Sequence, residues 1–178
     1  SDAAAVLKAC DLLFGTKLEP KELEKMAEAL GADVPFFIQG GTALGRGTGT
    51  ILTRLPAIRT GQFLIVKPGL ELRTQDVYGN LKMGLTVNSA KANIHVMKPI
   101  LARFPQKTWP GFNRLEEVVL PQQPSLQRLV LRLRELAPVA MLSGSGSSVV
   151  AVFPDGQATE EVVEEFQEAG LFVSLVGP

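Results

Sequence analysis

Val139-Ala140-Met141-Leu142-Ser143-Gly144-Ser145-Gly146-Ser147-Ser148-Val149-Val150-Ala151-Val152-Phe153 is the stretch that decides the fold. Two apolar runs rich in β-branched residues flank an unbroken series of Gly and Ser. Val139–Leu142 and Ser148–Phe153 read as strands, and Ser143–Ser147 as the loop between them. On the C-terminal side, Thr159–Glu168 reads as a helix with an acidic face and Leu171–Val176 as a last strand. On the N-terminal side, Ser125–Leu136 carries Leu126, Leu129, Val130 and Leu133 at helical spacing. Asn113 with Glu116 gives a helix-start signature, Asn capping and Glu three positions on. Ser89–Phe104 reads as a helix kinked at Pro99, residues 82–88 are poorly patterned, and Thr74 is read as the cap of a short helix through Tyr78 and Leu81. Phe63-Leu64-Ile65-Val66 is a buried strand closed by Lys67-Pro68-Gly69. From residue 62 onward the order is strand, helices, strand, strand, helix, strand. That order fits an α+β sandwich of ferredoxin-like type.

Before residue 62 the texture differs. Ser1 is read as the N-cap of a helix over Ala3–Leu13 that ends near Gly15. Pro20 opens a second helix with Leu23, Met26, Ala27 and Leu30 on its spacing, and Gly31 stops it. Val34–Gln39, Thr42–Leu44 and Ile51–Leu55 read as short strands between glycine-rich turns. Pro56 to Gly61 looks like a junction, which gives two domains, 1–60 and 61–178.

Composition removes several function classes. Lys plus Arg equals Asp plus Glu at 18 each, so no basic footprint for nucleic acid or an anionic membrane is expected. Apolar runs are far shorter than the ~20 residues of a spanning helix. The one cysteine, Cys10, excludes an internal disulfide and is read as a small core residue. The one histidine, His95, leaves no His/Cys metal cluster to build. Glu160, Glu161, Glu164 and Glu165 form a solvated helix face, and Arg46, Lys67 and Arg73 are isolated cations near turns.

Three places could carry chemistry. Ser143, Gly144, Ser145, Gly146 and Ser147 suit a phosphate, because glycines at positive φ turn successive N–H groups inward. The alternative is a flexible hairpin turn, although a tight hairpin needs fewer small residues. No Gly-Lys-Ser/Thr follows, so this is not a Walker A loop. Asp33, in Gly31-Ala32-Asp33-Val34-Pro35-Phe36-Phe37, could accept a hydroxyl proton or help hold a metal. On local sequence alone, shaping or capping a turn is the commoner role for such an aspartate. Ser1 stands at a helix start, which attracts anions, yet an ordinary N-cap is commoner there.

Taken together, Ser1-Asp2-Ala3-Ala4-Ala5, the Asp33 segment, Gly40-Gly41-Thr42-Ala43-Leu44-Gly45-Arg46-Gly47, Lys67-Pro68-Gly69, Asn113-Arg114-Leu115-Glu116 and Leu142–Ser147 resemble a known family in their order. It is the 4-diphosphocytidyl-2-C-methyl-D-erythritol kinase family, of the galactokinase, homoserine kinase, mevalonate kinase and phosphomevalonate kinase superfamily. The resemblance runs over nearly the whole chain. The Asp33 segment is its most specific part, whereas the Gly/Ser loop marks only the superfamily.

The resemblance implies a partial N-terminal domain like ribosomal protein S5 followed by the ferredoxin-like domain. It implies transfer of the γ-phosphoryl of ATP, with Mg²⁺, to the 2-hydroxyl of a cytidine diphosphate-linked methylerythritol in the non-mevalonate isoprenoid route. Asp33 matches the catalytic aspartate, and Ser143 to Ser147 match the third motif near the phosphates. Ser1 is similar to the last serine of the phosphate-wrapping second motif. Tyr78, after Thr74, is similar to the aromatic that stacks on cytosine. The lysine and glycine-rich run of the family's N-terminal third have no counterpart here, so the chain is expected to lack that third, and metal ligands are not assigned. A small-molecule partner is implied, in a bacterial cytoplasm or plastid stroma, with no nucleic acid or membrane. A homoserine or mevalonate type of kinase, or a truncated nucleotide-binding module without turnover, are the other readings.

Overall fold

The computed structural model describes residues 1–81 and 112–177. The helix expected over Ser89–Phe104, His95 and the region 82–88 lie outside the described residues. The chain divides into two compact units, Ser1–Ala57 and Ile58–Pro178.

The first unit holds α1 (Asp2–Phe14), α2 (Pro20–Leu30), α3 (Val34–Gln39), β1 (Ala43–Arg46) and β2 (Ile51–Arg54). Gly15 ends α1 at φ 61°, a left-handed cap that glycine adopts freely. Pro20 starts α2, where Glu19 and Glu22 form a reciprocal capping box. Ala4, Leu23, Ala27 and Ile38 make a small core with Leu7, Leu18 and Val34 packed against it.

Val34–Gln39, read from sequence as a strand, is helical. A short apolar run carries no period that separates strand from helix. Here Pro35 sits in the first turn, where its missing N–H costs nothing, and Pro35 and Ile38 turn inward. Cys10 is exposed, not core. The buried stripe of α1 centres on Ala4, and Cys10 is turned about 120° away from it at 100° per residue.

The second unit holds β3 (Gln62–Lys67), α4 (Thr74–Gly79), α5 (Glu116–Gln122), α6 (Pro124–Leu136), β4 (Val139–Leu142), β5 (Val149–Phe153), α7 (Glu160–Glu168) and β6 (Phe172–Val176). Its sheet has the order β4-β5-β3-β6, with every pairing antiparallel. This is the strand order of a ferredoxin-like α+β sandwich. Register pairs Leu64 with Ala151 and Val66 with Val149, while Ala140 pairs with Ala151 and Leu142 with Val149. These residues share one sheet face. That face packs on Leu126, Leu129, Val130 and Leu133 of α6, on Val119 and Leu120 of α5, and on Phe166 of α7. Val139 and Val152 form a smaller cluster with Ile58, Phe63, Met141 and Val150.

Two surface details complete the unit. Arg132 of α6 binds Glu165 of α7 through two hydrogen bonds, 2.7 and 2.9 Å, and Glu135 at 3.0 Å. The Asp155 carboxylate accepts from Gly61 N–H at 2.6 Å, tying the start of β3 to the turn after β5. No described helix is long and apolar enough to cross a membrane.

Candidate functional site

β4 and β5 end side by side and present the Gly/Ser loop between them. Ser143 N–H donates to Ser148 O at 2.9 Å and Gly146 N–H to Ser143 O at 3.0 Å. Neither bond uses the N–H of Gly144 or Ser145. Gly144 has φ 57° and Gly146 φ 83°. Backbone of this kind lets successive N–H groups converge on an anion. Gly146 is fixed twice over: beyond its φ, a Cβ there would lie 3.3 Å from Leu72 Cδ1 and 3.5 Å from Leu142 Cδ2. At Gly144 a Cβ would meet nothing within 4 Å. Ser147 is buried, and its hydroxyl donates to Leu70 O. The loop is therefore pinned at its far end, while the N–H groups of Gly144 and Ser145 stay outside these bonds.

α4 comes to the loop from the other side. Thr74 Oγ1 and Ser145 Oγ lie 3.0 Å apart in a hydrogen bond. Thr74 does not cap its helix: Arg73 occupies the N-cap position, without a side-chain bond. The Thr74 hydroxyl thus serves the loop and not the helix. Tyr78, one turn further on the same helix face, is 57% exposed. The structure therefore brings Thr74 to the Gly/Ser loop, with Tyr78 one turn along the same helix. A groove of about 340 Å³ between α4 and α5 is lined by Arg73, Asp76, Asn80 and Gln122 among others. None of Thr74, Tyr78 or the loop residues lines it.

Asp33 and Ser1 belong to the first unit. Asp33 is exposed at the N-cap position of α3, with φ −87°, and makes no capping hydrogen bond. The ordinary turn-capping role does not occupy its carboxylate. Behind it α3 is held by Lys8 Nζ to Phe37 O at 3.0 Å and by Gln39 Nε2 to Glu24 Oε1 at 3.0 Å. Ser1 is the N-cap of α1 by position; its hydroxyl donates to Asp2 Oδ1 at 3.1 Å and to no helix N–H. Among the described residues, no three His, Cys, Asp or Glu side chains gather as they would around a metal ion.

Sequence reading missed the residues that hold the loop. Asn113 Nδ2 donates to Leu142 O at 3.0 Å and to Gly144 O at 2.6 Å. Its Oδ1 accepts from Leu115 N–H at 3.0 Å. Glu116 does not complete the expected capping box. Its Oε1 accepts from Leu142 N–H at 2.8 Å, and its Oε2 from Arg134 at 2.6 Å. The Asn-x-x-Glu spacing was visible in sequence, but its partners across the fold lie 18 to 31 residues further along the chain.

Comparison with known proteins adds what local geometry does not. Residues 100–171 match the family model described as GHMP kinases C terminal. It is 36% identical over 184 residues to a 4-diphosphocytidyl-2-C-methyl-D-erythritol kinase of Solibacter usitatus, covering 99% of this chain and 57% of that protein. It is 34% identical to the protein of the same name from Lachnoclostridium phytofermentans, covering 94% and 58%. A crystal structure of a 4-(cytidine 5'-diphospho)-2C-methyl-D-erythritol kinase superposes with TM-score 0.76 at 30% identity, over 99% of this chain and 64% of that one. A homoserine kinase from Cytophaga hutchinsonii shares the fold, with TM-score 0.66 at 19% identity over 97% and 62%. The chain thus spans less than two thirds of the length of the relatives it matches.

Proposed function

We propose that the chain works as part of an ATP-dependent kinase that phosphorylates 4-diphosphocytidyl-2-C-methyl-D-erythritol at its 2-hydroxyl. The observation that carries this reading is the end-to-end similarity of the chain to kinases of that name. In this reading Ser143, Gly144, Ser145, Gly146 and Ser147 hold phosphate oxygens through backbone N–H groups and hydroxyls, and Ser1 adds a helix start to the same task. Asp33 takes the proton of the substrate hydroxyl as its oxygen bonds to the γ-phosphorus and the bond to the β-phosphate oxygen breaks, releasing ADP. Its carboxylate, outside any cap bond, is available to accept that proton. Tyr78 stacks on the cytosine ring, a contact worth about 1–3 kcal/mol per base in single-strand binders, and Thr74 sits beside it on α4.

Mg²⁺ bound with the nucleotide would neutralise phosphate charge, and no residue of this chain is assigned to hold it. Such an ion commonly takes only one or two protein carboxylates besides phosphate oxygens and waters. The domains in this reading are 1–60, the remainder of the N-terminal kinase domain, and 61–178, the C-terminal domain. The protein's setting is a bacterial cytoplasm or plastid stroma.

The test is ATP-dependent phosphorylation by the longest native product of the gene, with homoserine and mevalonate as control acceptors. Turnover on the cytidylylated acceptor alone is expected. Product from a control acceptor would identify a sister kinase. Nucleotide binding with no product from any acceptor would identify a non-catalytic module.

A further inference from the structure

β4 is an edge strand of the second unit's sheet. Edge strands expose a row of unpaired N–H and C=O groups. In antiparallel pairing, alternate residues point these groups away from the neighbour. On β4 the outward residues are Ala140 and Leu142, since Ser143 N–H bonds inward to Ser148. Side chains meet these outward groups one by one. Arg134 Nε donates to Ala140 O at 3.0 Å, Glu116 Oε1 accepts from Leu142 N–H at 2.8 Å, and Asn113 Nδ2 donates to Leu142 O at 3.0 Å. Asn113 then goes one step further than the strand and donates to Gly144 O at 2.6 Å, inside the loop.

The three side chains act as a substitute neighbouring strand, and their last member reaches into the Gly/Ser loop. An ion pair ties them together, Arg134 Nη2 to Glu116 Oε2 at 2.6 Å. Asn113 is also fixed by its own acceptor bond from Leu115 N–H. A group held from both sides in this way transmits the position of the sheet edge to whatever it touches. We propose that Asn113 is a positioning residue for phosphoryl transfer, setting the Gly144 carbonyl and hence the direction of the neighbouring loop N–H groups, with Glu116 and Arg134 as its support. This rests on the reading that the loop holds phosphate. Asn113 touches the loop's carbonyls and not the reacting atoms. Its effect is on geometry, where a misplacement of about 1 Å can cost on the order of 10²-fold in rate.

Asn113→Asp isolates the role. It keeps an oxygen to accept from Leu115 N–H and loses both donations to Leu142 O and Gly144 O. Glu116→Gln is the milder partner, since it retains an acceptor for Leu142 N–H and loses the charge that binds Arg134. Two readouts are made on the full-length protein. Backbone hydrogen exchange is expected to rise at Ser143–Ser147 in Asn113→Asp while β5 and β3 stay protected, with a smaller rise in Glu116→Gln. In the same variants kcat is expected to fall at least about tenfold for Asn113→Asp, and less for Glu116→Gln, with the acceptor KM little changed.

A residue that merely stabilised the fold would lower the melting temperature without this kcat change in the folded fraction. Unchanged loop exchange in the variants overturns the positioning role whatever the protein's activity. Looser exchange with unchanged kcat overturns its part in catalysis. A wild-type protein that transfers no phosphoryl group overturns the functional reading itself, and the exchange result then reports on the loop alone. If Asn113→Asp fails to fold, Glu116→Gln carries both readouts.

Discussion

Thr74 and Ser145, 71 residues apart in sequence, share a hydrogen bond of 3.0 Å between their hydroxyls. The bond joins the first residue of α4 to the crown of the Gly/Ser loop. Thr74→Val and Ser145→Ala each remove it and leave the loop backbone and helix start intact. Each is expected to lower phosphoryl transfer, and the double variant is expected to cost less than the two singles combined, as for residues in one network. A double-mutant cycle on kcat/KM measures this; strict additivity would mean that the two hydroxyls act separately.

Gly144 and Gly146 both carry positive φ, yet they are expected to tolerate alanine differently. At Gly144 the cost is conformational alone, about 1–2 kcal/mol for a side chain in the left-handed region. At Gly146 the added Cβ also presses on Leu72 and Leu142. Gly146→Ala should therefore be the more destabilising of the two in urea unfolding.

The core of the second unit makes a plainer prediction. Leu133 on α6 is fully buried, 0% exposed. Leu133→Ala should lower the unfolding free energy by about 2–5 kcal/mol, through lost burial and the cavity left behind. Denaturant titration at constant m-value tests it.

How much of this was legible in sequence depended on whether the deciding partners were local. Leu126, Leu129, Val130 and Leu133 announced α6 by spacing, and all four are buried in it. The hairpin about Ser143–Ser147 announced itself by composition. Val34–Gln39 did not, because five consecutive apolar residues carry no period and the docking of Ile38 beside Ala4, Leu23 and Ala27 decided its form. Thr74 read as a helix cap because local sequence shows a hydroxyl at a helix start and does not show Ser145. Asn113 and Glu116 were seen as a helix signature for the same reason, while their amide and carboxylate serve β4 across the fold. The proposed acceptor rests on resemblance and comparison, since no local geometry spells out cytidine.

Acid stability follows from two carboxylates. Hydrogen bonds from Thr16 and Leu18 N–H hold the Asp11 carboxyl below its ordinary value. The hydrogen-bonded Arg132 guanidinium does the same for Glu165. Both pKa values are depressed on folding, so the stabilisation is complete above the unfolded value of about 4. It is lost as pH falls through the lower folded values. Thermal unfolding between neutral pH and about pH 3 should show a falling melting temperature below pH ~4, with a smaller fall in Arg132→Ala. Glu165 is exposed and Asp11 only half-buried, so the effect is small and salt should weaken it further.

In the proposed reaction Asp33 is the proton acceptor in phosphoryl transfer to the cytidylylated methylerythritol. Its most direct test is the steady-state kinetics of the full-length kinase and its Asp33→Asn variant, with ATP and that acceptor. The amide keeps the size of the carboxylate and cannot take the proton. The expected result is turnover by the wild type and a kcat lower by about 10²–10⁴-fold in the variant, with KM for both substrates changed far less. A variant kcat close to that of the wild type would contradict the account.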